Sequence, residues 1–314
     1  MSDFPPPPRK FAEGFSILWI LFVLTFAIRL ALLVGFSRSS EFLPEGDDMQ
    51  FYNAWATRIL QGHFTDGKAF YGLPGYAYCV ALIYALTGGM NPFAVGLVQA
   101  ALEAGTAVVL YRLAIFAFAR RAADGSDGMA ALRPQIVGTL AALGWAAFVP
   151  AQVFSLILMP ASWLVFAYWG CVWWVMKTPG VSCWSPWLGL GLICGLVAMM
   201  VATILFVIPL IVAGILLKVE AGQPWRARLA KVAAALALLL AGLYTGSAPA
   251  WIHNYFIAHE PVMLSAHSGI NFWIGNHPSA NGYPKIPAGL RASQEGLLKD
   301  SITVAERAAG RTLQ

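Results

Sequence analysis

Charge is what this sequence has least of. Only 11% of its 314 residues are Asp, Glu, Lys or Arg, while 59% are hydrophobic. A soluble domain carries roughly 25% charged residues, so the chain lacks the polar surface that dissolves a globular protein. Its mean hydropathy is +0.66. Cysteine is also scarce: Cys79, Cys171, Cys183 and Cys194 have no CxxC or Cys/His spacing. That excludes a disulfide framework or a zinc motif and leaves small apolar fillers. Alternating segments of about ten residues are missing, which excludes a β-barrel. There is no basic domain, so the net charge of +5 does not point to nucleic acid. His63, His253, His259, His267 and His277 show no HxxxH spacing and read as hydrogen-bonding loop residues. No internal repeat is present.

What the chain does have is uncharged runs that reach the ~20 residues needed to cross a bilayer. It therefore reads as all-α, a polytopic integral membrane helical bundle. Residues 1–14, with the tetraproline 5–8 followed by Arg9 and Lys10, form a cytoplasmic tail. Residues 15–252 form the multi-span transmembrane domain. The first extracytoplasmic loop covers about 37–72, and 253–314 is an extracytoplasmic segment expected to begin a longer region. The run 15–36 is too long for a signal-peptide core and is expected to stay as an anchor. Further apolar segments lie at 73–86, 92–118, 136–158, 160–176, 186–200, 202–217 and 229–251.

Basic loops near 120–133 and 218–231 read as cytoplasmic, like the N-terminus. The parity does not close if 73–86 and 92–118 both span. Either 73–86 is re-entrant, or the rule fails at Arg120 and Arg121. The glycines at 189, 191 and 195 suit close helix packing. Trp169, Trp173, Trp174, Trp184 and Trp187 read as an aromatic belt.

The polar residues between the runs carry the chemistry. Asp47 and Asp48 sit at the outer end of the first span. Tyr52, Trp55, Ala56, Ile59 and Leu60 follow at helical spacing, so 48–60 reads as an interfacial helix. One of the two acids can cap its N-terminus. A carboxylate here can also act as a general base toward an acceptor hydroxyl, or help to hold a divalent cation that neutralises a departing phosphate. Arg29 lies about 10 Å below the outer end of its helix. It either snorkels outward or points into a buried site. Glu103 and Arg112, nine residues apart on one segment, do not share a face and need separate partners. Residues 253–290 are polar and loop-rich, with Asn271, Asn276, Asn281, Phe272, Trp273 and Tyr283 interleaved with Gly and Pro. Amides and aromatic faces of this kind bind sugars. Residues 292–313 read as a polar helix.

Two stretches, "GDDMQFYNAWATRILQGHFTDGKAFYGLPGYAYCVALIYALTG" (46–88) and "HNYFIAHEPVMLSAHSGINFWIGNHPSANGYP" (253–284), give the chain a family resemblance. It resembles the GT-C class of membrane glycosyltransferases, in the bacterial branch similar to protein O-mannosyltransferases and lipid A aminoarabinose transferases. The resemblance implies an inverting transfer of a sugar from a polyprenyl-phosphate donor to a glycan, lipid or protein acceptor outside the cytoplasm, at the inner membrane. Asp48, four residues before Tyr52, matches the family's catalytic acid, with Asp47 beside it. Tyr52, Asn271 and Asn276 would bind substrate, and Arg29 and Lys68 would substitute for missing cations. Asp48 would be the ligand of a divalent cation, Mg or Mn, if one takes part. The polyprenyl tail would lie against the membrane helices. The chain departs from the pattern at 72–74, where "GLP" replaces a basic residue before proline. It also departs at 153–163, which lacks a second acid, and at 201–203, which lacks an arginine. These departures leave open a non-catalytic member or subunit that binds a lipid-linked glycan. A lipid or solute transporter would instead show inverted repeats and helices broken beside charges.

Overall fold

A computed structural model describes residues 14–123, 134–220, 222–283, 285–291, 293–310 and 312. The proline tail and residues 124–133 of the basic loop 120–133 lie outside the described residues. Within the described residues the chain is helical, without strands. The helices are α1 (Gly14–Phe36), α2 (Asp47–Leu60), α3 (Pro74–Leu86), α4 (Pro92–Ala123), α5 (Pro134–Ala147), α6 (Val149–Leu156) and α7 (Ala161–Lys177). They continue with α8 (Trp184–Ala198), α9 (Ile208–Leu217, preceded by a 3-10 turn at Ala202–Val207), α10 (Trp225–Gly246), α11 (Ala248–Ile252), α12 (Ser268–Asn276) and α13 (Gln294–Ala309). A π-helical turn, His253–Ile257, follows α11. Prolines occupy the first turn of α3, α6, α9 and α11, where a missing N–H costs nothing.

Three helical stretches are long and apolar enough to cross a membrane: Ser16–Phe36, Pro92–Phe118 and Trp225–Gly246. The pair α5 and α6 passes as a fourth if it is one span, bent by 52°. The apolar segment 136–158, read as continuous, is therefore broken. Pro150 opens α6, and proline cannot supply the N–H that a continuous helix needs.

Side-chain contacts fix the helix directions. Leu33 meets Gly96 and Arg29 meets Glu103, so α1 and α4 are antiparallel. Tyr111 packs on Gly138 while Glu103 lies near Trp145, so α4 and α5 are antiparallel as well. Phe166 touches Gly105 and Trp173 touches Phe116, which makes α7 parallel to α4. Trp174 sits over Gly189 and Cys171 against Cys194, so α8 reverses again. Val175 meets Gly214, and Lys218 bonds the Thr178 carbonyl, so α9 runs with α7. Gly191 and Gly195 face Leu239 and Leu243 in rising order, so α10 runs with α8. The bundle thus has two ends. The first holds the C-termini of α4, α7 and α9 and the start of α10. The second holds the end of α1, the loop 37–72, and the chain after α10.

The Gly75 amide donates to the Met199 carbonyl at 2.7 Å, at the C-terminal end of α8, and α3 leads straight into the start of α4. Both ends of α3 therefore lie at the second end. Its 13 residues would reach about 20 Å, short of a 30 Å bilayer core. The cluster beneath it joins Trp55, Ala56, Phe70, Tyr76, Leu158 and Ala250, all from the same end.

Several local readings are corrected. Leu60 is 38% exposed whereas Trp55, Ala56 and Ile59 are buried. Leu60 sits one residue, or 100°, beyond Ile59 at the edge of the apolar stripe. Trp187 is fully buried, with its indole N–H donating to the Val181 carbonyl at 3.1 Å, so it is core and not belt. Trp184 is 65% exposed. Residues 268–276 form α12 and not a loop, with Ile270 as the buried anchor. The terminal helix is shorter than 292–313: Ser293 caps α13 by accepting the Gly296 N–H at 3.1 Å. It ends at Gly310, whose φ of 64° favours glycine.

Candidate functional site

The paired acids open α2. Gly46 takes the N-cap in extended conformation, with no side-chain cap bond. Neither acid is the cap, because Asp47 and Asp48 are the first two helical residues. Their place is still electrostatically sound: a helix N-terminus exposes unpaired N–H groups and carries partial positive charge. Asp48 is half-buried. One turn on, burial raises the Tyr52 phenol to about 12, and the neighbouring Asp48 carboxylate pushes it the same way. Tyr52 therefore stays neutral through physiological pH, as a donor beside a carboxylate.

Behind Tyr52 a polar chain runs into the bundle. The Tyr52 and Tyr76 rings meet edge to face at 5.0 Å. Tyr76, fully buried, donates its hydroxyl to Gln99 Oε1 at 2.7 Å. Gln99 Nε2 donates to the Ser155 and Ile157 carbonyls at 3.1 and 2.9 Å. Those carbonyls belong to the break between α6 and α7, so Gln99 supplies the hydrogen bonds that the broken helix lacks. A narrow crevice with a cavity volume of about 10 Å³ lies here, lined by Phe36, Phe42, Met49, Val95, Gln99 and Leu158. Asn53 on α2 accepts from the Tyr84 hydroxyl at 2.7 Å.

The segment after α10 is laced onto the first loop. The Phe70 amide donates to Asn254 Oδ1 at 3.0 Å. Asn254 Nδ2 donates to the Val262 and Leu264 carbonyls at 3.0 and 3.3 Å. The amides of Ala266 and His267 donate to the Phe70 and Tyr71 carbonyls at 2.8 and 3.2 Å. The His253 ring stacks on Phe70 with centroids 4.0 Å apart and bonds the Thr65 hydroxyl. His267 bonds Ser265 and the Tyr71 carbonyl, and His277 the Lys285 carbonyl. Asn254 is wholly buried and holds three backbone groups at once. Asn254→Ala is expected to leave them unsatisfied, at about 1–3 kcal/mol for each buried group stranded. Limited proteolysis within 61–72 should accelerate at least tenfold while the helical bundle stays resistant. Unchanged cleavage would show that the contact does not hold the loop.

The remaining sequence candidates scatter. Arg29 is fully buried and bonded inside the bundle: Nη1 to the Ala146 carbonyl at 2.7 Å, Nη2 to the Trp145 carbonyl at 3.2 Å, and 3.8 Å from Glu103 Oε2. Its outward-snorkelling reading is overturned. Arg112 is exposed, so Glu103 and Arg112 do have separate surroundings. Lys68 is exposed, as is Asn271 on α12. The Asn276 amide turns back to the Phe272 carbonyl at 2.7 Å. Among the described residues no group of three or more His, Cys, Asp or Glu gathers where it would hold a metal ion. Tyr76, Gln99 and Asn254 were not singled out from sequence. A signal for Gln99 existed, since it lies one turn before Glu103 on the same face of an apolar helix. Comparison of the chain with protein-family models, curated proteins and solved structures found no match.

Proposed function

We propose that the chain is a polytopic membrane glycosyltransferase that moves a sugar from a polyprenyl-phosphate donor to an acceptor on the extracytoplasmic side. The observation that carries the reading is the lacing of its two family-like stretches. Residues 65–71 and 253–267 are far apart in sequence, yet they share direct bonds at Phe70, Tyr71 and Asn254. They do so at the end of the bundle where α2 presents Asp48. Charge supports the orientation. Lys177, Lys218, Arg226, Arg228 and Lys231 belong to the first end, which is then cytoplasmic by the positive-inside rule.

In this reading the Asp48 carboxylate takes the proton of the acceptor hydroxyl. The hydroxyl oxygen bonds the anomeric carbon as that carbon's bond to the phosphate oxygen breaks, with inversion, and the polyprenyl phosphate leaves. The Tyr52 phenol donates to a substrate oxygen beside that acid. No step is assigned to a metal.

A binding-only role draws on the missing acid at 153–163 and the missing arginine at 201–203. A transporter draws on the break between α5 and α6 beside Arg29 and Glu103. One experiment separates the three. Membranes carrying the chain are supplied with labelled polyprenyl-phosphate sugars, and Asp48→Asn is run in parallel. Transfer is expected to fall by about 10²–10⁴-fold in the variant, the range a general base contributes, at equal protein level. Equal transfer in both removes Asp48 as the base. Donor retained without transfer in either points to binding alone. Donor flipped without transfer points to transport.

A further inference from the structure

The geometry points to a binding surface for the phosphate headgroup of an anionic phospholipid at the first end of the bundle, where α7, α9 and α10 meet. Two contacts draw these helix ends into one patch. Lys218 Nζ donates to the Thr178 carbonyl just beyond α7. Lys231 Nζ lies 3.7 Å from Glu220 Oε2, joining the turn after α9 to α10. Glu220 is the only acid in residues 177–231, against Lys177, Lys218, Arg226, Arg228 and Lys231. Lys231 and the Gln223 amide already engage that carboxylate. Lys177 at the end of α7 and Arg226 and Arg228 at the start of α10 are exposed.

The apolar residues say where this charge sits. Trp225 is 68% exposed and Leu229 60% exposed. Trp225, Arg228 and Leu229 stand at i, i+3 and i+4, on one face of α10. Arg226 lies 5.6 Å over the Trp225 ring. An indole at headgroup level, a leucine below it and guanidinium groups beside it match the layering of a bilayer edge. Guanidinium forks bind phosphate oxygens in pairs, and basic clusters at the cytoplasmic end of a span select anionic lipid. The acyl chains of that lipid would lie along the outer face of α10 beside Leu229.

The inference rests on the membrane reading and its orientation, and is independent of any transferase activity. The full chain is reconstituted in nanodiscs of phosphatidylcholine with and without phosphatidylglycerol, and retained lipid is counted by native mass spectrometry. Preferential retention of phosphatidylglycerol is expected. Arg226→Ala with Arg228→Ala should weaken it by about twenty-five-fold, at roughly fivefold per cation. Arg226→Lys with Arg228→Lys, which keeps the charge, should lose far less. Arg38→Ala with Arg58→Ala, exposed at the opposite end, should change nothing. Equal retention in the wild type and the alanine pair overturns the proposal. Displacement of the lipid by inorganic phosphate also overturns it, leaving a free-anion site. A chain that never enters the nanodisc sinks the membrane reading and this surface with it. Entry without lipid preference sinks the surface alone.

Discussion

Arg29→Ala is expected to remove about 3–5 kcal/mol of stability, the cost of stripping one partner from a buried ion pair. The cause lies at the broken helix. α5 ends at Ala147, so its last carbonyls lack the i+4 amides of a continuing helix; the Phe148 amide donates to Trp145 at 3.1 Å instead. Arg29 comes across from α1 and gives Nη1 to Ala146 and Nη2 to Trp145. A cation there also meets the negative end of the α5 dipole. Glu103, 3.8 Å away and 2% exposed, balances the charge. The Ser162 hydroxyl and Trp145 indole lie near that carboxylate without reaching hydrogen-bond geometry. Take Arg29 away, and a carboxylate stands uncompensated among apolar helices.

Glu103→Gln should cost less, because Arg29 keeps both carbonyls. Arg29→Met with Glu103→Met should recover most of the loss, since apolar replacement of a whole buried pair is near neutral. The Ala146 carbonyl would still hold the Gln152 amide at 2.9 Å. Thermal unfolding of the detergent-solubilised chain reads this order directly. An alanine variant as stable as the wild type would mean that water reaches the pair.

The elements of this bundle were legible from sequence to very different degrees. α1, α4 and α10 announce themselves as long apolar runs, each reaching the ~20 residues that a bilayer crossing needs. α2 shows in Tyr52, Trp55, Ala56 and Ile59, because a helix that buries one face must repeat every 3.6 residues. The break at α6 was written in Pro150 but masked by the apolar run around it, since hydropathy does not register a missing N–H. Asp47 and Asp48 both suit the cap by residue type, because acids favour that position. Gly46 took it, being the residue in extended conformation just before the helix. Arg29 was visible as an anomaly, but its partners were not. They come from α4 and α5, 74 and more than 100 positions away, and no local pattern encodes that meeting. The same holds for Asn254, an ordinary asparagine until the backbone of the first loop folds against it. A family resemblance named both stretches, and their contact is a property of the packed chain alone.

A valine at Gly191 or Gly242 is expected to damage the fold as heavily as the loss of Arg29, through packing with no charge involved. Gly191 and Gly195 lie four apart on α8, and Gly242 and Gly246 four apart on α10. A Cβ at Gly191 would sit 2.1 Å from the Leu239 carbonyl oxygen, and one at Gly195 2.3 Å from that of Leu243. Reciprocally, Cβ atoms at Gly242 and Gly246 would sit 2.2 and 2.3 Å from the Leu188 and Leu192 oxygens. The obstacle is backbone in every case, so no rotamer change relieves it, and the helices must separate. Between lipid-facing helices close backbone packing is a main source of attraction, because lipid offers apolar side chains as good a home as protein does. Separation gives that up along the whole seam. Overpacking costs typically 1–3 kcal/mol and occasionally more, and this double-sided seam belongs at the upper end.

Gly170→Ala is the matched control. It is also a helical glycine, but a Cβ there meets nothing within 4 Å. It should be neutral or stabilising by up to about 1 kcal/mol through helix propensity. The measurement is the midpoint of thermal aggregation for the three variants in one detergent. A large drop for Gly191→Val and Gly242→Val, with none for Gly170→Ala, assigns the effect to the seam. Equal midpoints would mean that α8 and α10 do not pack backbone to backbone.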